Sequence, residues 1–204
     1  MSADPGPARV QRPSLDDVRW PLHTARLTLR RGRPEDAEGV FAFRRLEAVS
    51  RWLTRVQTDP FAWAREWNER VTSTIVVECD GALIGDTRVV IRDAHAQGEV
   101  ADRAVGVEAE LMWAFHPDWT GRGYATEAIE GLVRIAFTEL GLRRLVALCF
   151  ADNEPSWRLM ERVGMRREGH DVAATLHRDG TWCDFLHYAL LPSDVPSQDA
   201  RAAS

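Results

Sequence analysis

Cysteine is scarce: three residues among 204, Cys79, Cys149 and Cys183, lie far apart in the chain. An odd, scattered set excludes a disulfide framework and makes a reducing cytoplasm the expected compartment. No CxxC or HxxxH pattern occurs. His116, His170, His177 and His187 form no recognisable metal-ligand spacing, so they read as ordinary surface or core histidines and no metal is expected. No apolar stretch approaches the roughly 20 residues of a membrane span, and no secretory signal opens the chain, so no membrane partner is expected. Positive charge is also in deficit. A net charge of -5 gives no case for nucleic acid and mildly favours cationic partners.

What is present suits one globular domain with a substantial core and loose ends, at 45% hydrophobic and 28% charged residues. Residues 1–21, rich in proline and small residues, read as a flexible arm. Residues 192–204, "PSDVPSQDARAAS", read as a flexible tail. Between them, 22–191 mix helical and strand periods. "ARLTLRR" alternates as a strand. Pro34 opens a helix through "PEDAEGVFAFRRLEAV", with Glu35 and Asp36 suited to its start. Asp59-Pro60 repeats the signal before "FAWAREWNERV", which sets Trp63 and Trp67 on one face. "TIVVECDGALIGDTRVVI" is a hairpin about Asp80-Gly81. A polar loop, 93–106, precedes the strand "VEAELMWAF". "TEAIEGLVRIAFTELGL" is an amphipathic helix stopped by Gly141. "RRLVALCF" is a strand buried on both faces. "NEPSWRLMERVGM" is a short helix stopped by Gly164, and "HRDGTWCDFLHYALL" a hairpin about Asp179-Gly180. This order predicts a mixed α/β domain on one central sheet.

The segment "HPDWTGRGYATEA", 116–128, places Gly121 and Gly123 between a strand and a helix. The first helical turn leaves four backbone N–H groups unpaired, and the helix dipole adds partial positive charge there. Bare glycines let an anion reach those groups, and Arg122 supplies a mobile charge. The lysine of a P-loop and the spacing of a dinucleotide fingerprint are both absent. By spacing alone the segment is either such a cradle or a tight turn without a ligand.

"ELMWAFHPDWTGRGYATEA" resembles the acetyl-CoA-binding segment of the GNAT superfamily of N-acetyltransferases, and most of all its RimJ/RimL-like branch. "ADNEPSWRLMERVGM" resembles that branch's second signature, "ARLTLRRGRPEDAE" its first strand and helix, and "HRDGTWCDFLHYALL" its closing hairpin. The likeness covers about residues 22–191, in the family's order and spacing. It implies an α/β (α+β) fold: a twisted, mixed, mostly antiparallel central sheet, splayed at its middle strands and flanked by helices. It implies acetyl-CoA as cosubstrate, seated in that split. The backbone N–H groups of Gly121, Arg122, Gly123, Tyr124, Ala125 and Thr126 would hold the pyrophosphate. Phe115 would offer main-chain bonds to the pantetheine or acetyl carbonyl, and Asn153 would touch the cofactor from the neighbouring strand end. Thr120 stands where the superfamily often carries Gln or Arg, which implies a weaker phosphate contact there.

The implied reaction is direct acetyl transfer to an uncharged amine. At pH 7, deprotonation costs about 1 kcal/mol for an α-amine and about 4.6 for a lysine. Glu110, about one strand before the glycine turn, resembles the carboxylate often used as base; an outward or ion-paired strand residue is the other reading. Ser156 resembles the serine suggested as acid toward the leaving thiolate; helix-start capping is its other reading. A tyrosine used by many relatives outside the branch is replaced here by Met160. Nothing in the spacing pairs Cys149 or Cys183 with a base, which argues against a thiol nucleophile. Trp52, Trp63 and Trp67 read mostly as core, and Trp182 and Asp184 as structural or substrate-flanking. The expected acceptor is a protein N-terminal α-amine. A small amine such as an antibiotic or polyamine is the second reading, and a non-catalytic acyl-CoA sensor is the rival from another class. Family habit adds a possible homodimer.

Overall fold

A computed structural model describes residues 12–195. Eight strands form one sheet, in the order β1-β2-β3-β4-β5-β6-β8-β7. They are β1 (Leu22–His23), β2 (Thr28–Arg31), β3 (Thr74–Cys79), β4 (Ala82–Arg92), β5 (Glu108–Phe115), β6 (Arg144–Phe150), β7 (Arg166–Leu176) and β8 (Trp182–Leu190). The helices are α1 (Ala37–Arg44), α2 (Glu47–Ser50), α3 (Pro60–Arg70), α4 (Tyr124–Thr138) and α5 (Glu154–Arg162).

Every neighbouring pair is antiparallel except β5 and β6. A parallel pair needs a crossover, and α4 supplies it. The parallel register is short: Glu108, Ala109 and Glu110 face Arg144, Leu145 and Val146, and no pairing continues beyond them. From there β5 stays with β4 as far as Phe115, while β6 stays with β8 as far as Phe150. The sheet therefore opens between Glu110 and the strand ends, as the resemblance implies.

Two cores hold the layers. On one face Ile129, Leu132 and Val133 of α4, with Leu159 and Met160 of α5, pack on Leu29, Ile75, Leu111, Leu145 and Leu186. Burying each large aliphatic side chain contributes roughly 1.5–3 kcal/mol. On the other face Val40 and Phe43 of α1, with Trp63 and Trp67 of α3, cover Val76 and Ala114. The two indole N–H groups donate to Ala37 O at 2.6 Å and Arg33 O at 2.8 Å, so both rings are satisfied core.

Two boundaries shift. Residues 12–21 are part of the domain, where the sequence suggests a loose arm: Leu15 and Val18 are buried, and Trp20 Nε1 donates to Leu15 O at 2.8 Å. Their apolar side chains complete the core beside β1. At the other end Pro192–Asp194 forms a 3-10 turn, with Asp194 accepting from Leu191 N and pairing with Arg166. The remainder of the expected arm and tail, 1–11 and 196–204, lies outside the described residues. The 93–106 loop is partly ordered too, with a 3-10 segment at Gly98–Ala104 and Asp93 accepting from Gly106 N at 2.8 Å.

Candidate active site

Strand β5 runs past the end of its pairing with β6 into a 3-10 turn, Pro117–Trp119, and then into Thr120 to Gly123. Gly121 and Gly123 have φ of 74° and 80°, a left-handed conformation that strains residues with a Cβ. A Cβ on Gly121 would meet nothing within 4 Å, so its backbone faces open space. Gly123 is the N-cap of α4 and brings no capping side chain. Tyr124, Ala125 and Thr126 follow as the first helical turn, whose N–H groups lack intrahelical partners. The cradle is thus bare backbone, on the N-terminal end of a 15-residue helix dipole.

A brace fixes this turn from behind. Arg26 donates from Nη1 to Arg122 O at 3.0 Å and from Nε to Glu127 Oε2 at 2.7 Å, with its guanidinium 4.5 Å from the Tyr124 ring centre. Glu127 also accepts from Thr24 Oγ1 at 2.6 Å and Arg26 N at 2.7 Å. Burial pushes the Glu127 carboxyl up, but these hydrogen bonds outweigh it and hold the group below its ordinary range. Arg162 reaches in from α5 to Thr126 Oγ1 at 3.2 Å. Arg122 lies beside the same turn, its guanidinium 5.7 Å from the Trp119 ring centre, so two arginine side chains stand close to the bare backbone.

Glu110 occupies the last paired rung before the split, between Val90 and Val146. It lies on the α1–α3 face, since its neighbours Ala109 and Leu111 point into the core under α4. Its carboxylate is 25% exposed and meets Arg92 only at 3.4 Å. Phe115 closes β5 at the mouth of the split. Across the mouth, Asn153 is the N-cap of α5, its N–H bonded to Phe150 O at 3.0 Å and its side chain making no cap hydrogen bond. Ser156, one turn on, does not occupy the cap position; its side chain lies beside the Cys149 thiol. Burial pushes that thiol up to about 11, and Ser156 offsets only part. A thiol so held is protonated near neutrality and poorly nucleophilic.

The region from residue 26 to residue 166 matches the acetyltransferase (GNAT) domain. The chain belongs to the GNAT family. It is similar to the uncharacterised N-acetyltransferase YnaD of Bacillus subtilis, 36% identical over 85 residues, 42% of this chain and about half (49%) of that protein. It is similar to YoaA of the same organism, 28% identical over 182 residues, covering 83% of this chain and 96% of the relative. The spermidine N(1)-acetyltransferase of Escherichia coli is 27% identical over 130 residues, 60% of this chain and 63% of that one. A GNAT acetyltransferase structure from Bacillus anthracis superposes with a TM-score of 0.70 at 27% identity, covering 83% and 97% of the two chains. RimJ of Mycobacterium smegmatis, bound to a CoA disulfide, gives 0.69 at 23% identity, covering 86% of each.

As a GNAT N-acetyltransferase, the protein takes its acetyl group from acetyl-CoA, and unpaired N–H groups at a helix N-terminus such as the glycine turn offers are chemically suited to phosphate oxygens. Of the residues expected at the site, Glu110 lies at the last rung β5 shares with β6, Phe115 at the end of β5, Gly121 to Thr126 in the turn and first residues of α4, and Asn153 and Ser156 at the start of α5. Asp184 is structural: it accepts from Ala173 N at 2.8 Å and from His170 at 2.6 Å, pinning a bulge where Ala173 has φ 48°. Met160 is 1% exposed and contributes only packing. Arg26, Glu127 and Arg162 escape sequence reasoning. Arg26 and Glu127 are 101 residues apart, and neither carries a local motif.

Proposed function

We propose that this GNAT member acetylates a protein N-terminal α-amine, with Glu110 as the base and Ser156 as the proton donor to the CoA thiolate. One observation carries the reading: Glu110 is the last rung before the split and faces the side where β6 and β8 are open. The core under α1 and α3 extends no farther along the sheet than Ala114 on β5. Beyond it Leu148, Phe150, Phe185 and His187 remain half-exposed. An extended peptide needs such an open face.

The light acid–base equipment matches an amine that costs about 1 kcal/mol to deprotonate at pH 7, against about 4.6 for a lysine. A cleft of about 300 Å³ adjoins the open face and carries Arg45, Arg51 and Arg178 against Glu47 and Asp179. Three arginines at the rim disfavour a polycation such as spermidine. The polyamine reading is nevertheless supported by the E. coli relative and is kept as the second enzyme reading.

The same proposal includes a cytoplasmic location, which the free thiols of Cys79, Cys149 and Cys183 suit. It also includes a homodimer, for which exposed Val172, Leu176 and Trp182 offer an apolar face. Sedimentation velocity reads the latter. The deciding experiment incubates the protein and acetyl-CoA with free N-terminal peptides, lysine peptides, polyamines and aminoglycosides, and follows acetylated products by mass. The chain has no lysine of its own, so any acetyl-lysine comes from the acceptor. Acetylated peptide N-termini support the proposal; products from small amines alone replace it with the second reading. Tight CoA binding with no product would return the sensor.

A further inference from the structure

On the open face of β8, His187 is built into a fixed position that neither the fold nor the cofactor turn requires. Its Nε2 lies 2.7 Å from Asp171 Oδ2 on β7. An ionised carboxylate only accepts, so Nε2 carries a proton, and in the neutral ring Nδ1 presents its lone pair. Gly169, directly opposite on β7, makes room for the ring: a Cβ there would stand 3.3 Å from His187 Cβ, Cγ and Cδ2. The Phe185 ring meets the imidazole edge-on at 5.8 Å between centres. The Cδ2–Nε2 edge thus faces β7, and Nδ1 lies on the ring edge turned away from that strand. Among the described residues Nδ1 has no hydrogen-bond partner.

Its place relative to Glu110 follows from register. Glu110 pairs with Val146 and Val146 with Ala189; His187 is two residues from Ala189 on the same face, toward the open end of the split. Two strand spacings and one two-residue step separate the Cα atoms by about 12 Å. An amine between two inward-reaching side chains fills that span. The charged groups around it are Asp171 on β7, Glu110 on β5 with Arg92 on β4, the Arg144–Glu168 pair between β6 and β7, and His177 with Asp179 at the hairpin turn. Rings of Phe150, His177 and Trp52 continue the wall beyond Phe185.

We propose that His187, oriented by Asp171, is a second proton acceptor on the acceptor side and takes the first proton from the incoming ammonium. This rests on the N-acetyltransferase reading above. The N–H bond of the ammonium breaks, an Nδ1–H bond forms, and the lone pair stays on the amine nitrogen. That nitrogen then bonds the acetyl carbon, and Glu110 takes the second nitrogen proton. As the C–S bond breaks, its electron pair goes to sulfur, which takes the Ser156 hydroxyl proton and leaves as CoA thiol, while the proton held by Glu110 passes through solvent to restore Ser156. The imidazolium returns its proton to solvent.

The test compares wild type, His187→Ala, Asp171→Asn and Glu110→Gln with acetyl-CoA and whichever amine the wild type acetylates. Calorimetry gives acetyl-CoA affinity, and steady-state rates are taken with and without added imidazole. General bases contribute about 10²–10⁴-fold. His187→Ala is expected to lose roughly 100-fold in kcat at unchanged acetyl-CoA affinity. Free imidazole should restore part of that loss and none of the loss in Glu110→Gln. Asp171→Asn should show a smaller loss that imidazole does not relieve. A wild-type rate in His187→Ala, or a loss that imidazole leaves untouched, overturns the inference while the enzyme reading stands. A wild type that binds no acetyl-CoA or acetylates no amine fails at the earlier step.

Discussion

Glu110 is the proposed base, and its surroundings define how to test it. Among the described residues its ionic partner is Arg92 at 3.4 Å, itself exposed, so replacement by Gln leaves no buried charge behind. Glu110→Gln should cut turnover about 100-fold and change acetyl-CoA affinity less than about twofold, read by steady-state kinetics and calorimetry. Unchanged turnover would remove Glu110 from the role. Cys149 makes the opposite case. With its thiol pushed up to about 11 by burial, roughly one molecule in 3,000 is thiolate at pH 7.5. Intact mass after incubation with acetyl-CoA alone should therefore show no thioester on Cys149; an acetylated Cys149 would point to a covalent route. The positions of Gly121, in a turn, and Asn153, at a helix start, were legible because their signal is local. Arg26 with Glu127, and His187 with Asp171, were not, because each pair meets only when distant segments pack or two strands take register.

At the level of elements, α1 and α3 are tied to β4 by an ionic knot that their amphipathic periods do not announce. Asp86 is fully buried and binds Arg44 through two bonds of 2.6 and 2.7 Å, with Arg70 at 3.6 Å. Arg70 is the poorly served member. Its Nε has no partner, and burial first, then the like charge of Arg44, push the guanidinium down to about 10. Asp86→Ala strands two buried cations and should destabilise the protein by about 3–5 kcal/mol in urea unfolding. Arg70→Met should cost less, since a half-satisfied charge is exchanged for apolar contact. The sign with pH follows from the lowered value. Keeping Arg70 charged costs stability below about 10, and that cost is relieved as pH rises from there toward the ordinary arginine range. Wild type should therefore gain on Arg70→Met above pH 10, and a flat difference across that pH would show that Arg70 is not strained. The sequence placed all three residues on the right kinds of element. Burial of their charges depends on how two helices cross one strand, which no local period encodes.

For the whole molecule, the order of strands and helices followed from periodicity, whereas the opening between β5 and β6 followed only from the family resemblance. A run such as "RRLVALCF" reads as a buried strand whichever neighbour it pairs with. Pairing that stops at Val146 is a property of two strands and the helices packed beneath them. Charge shows the same gap between total and local. A net charge of -5 suggests cationic partners, yet Arg45, Arg51 and Arg178 line one cleft. His177 and Arg178 hold that rim in place, bonding Arg51 O and Leu53 O from the hairpin turn. Exposed pairs contribute about 0.2–1 kcal/mol each, so two or three such contacts amount to about tenfold in affinity. Peptides with Asp or Glu a few residues behind the acceptor amine should thus show a KM about tenfold lower than their Lys counterparts at low salt. At 0.5 M salt the Debye length shrinks to about 4 Å and the preference should collapse. A preference for Lys, or one that salt leaves unchanged, would place the acceptor chain elsewhere on the open face, away from the arginine rim.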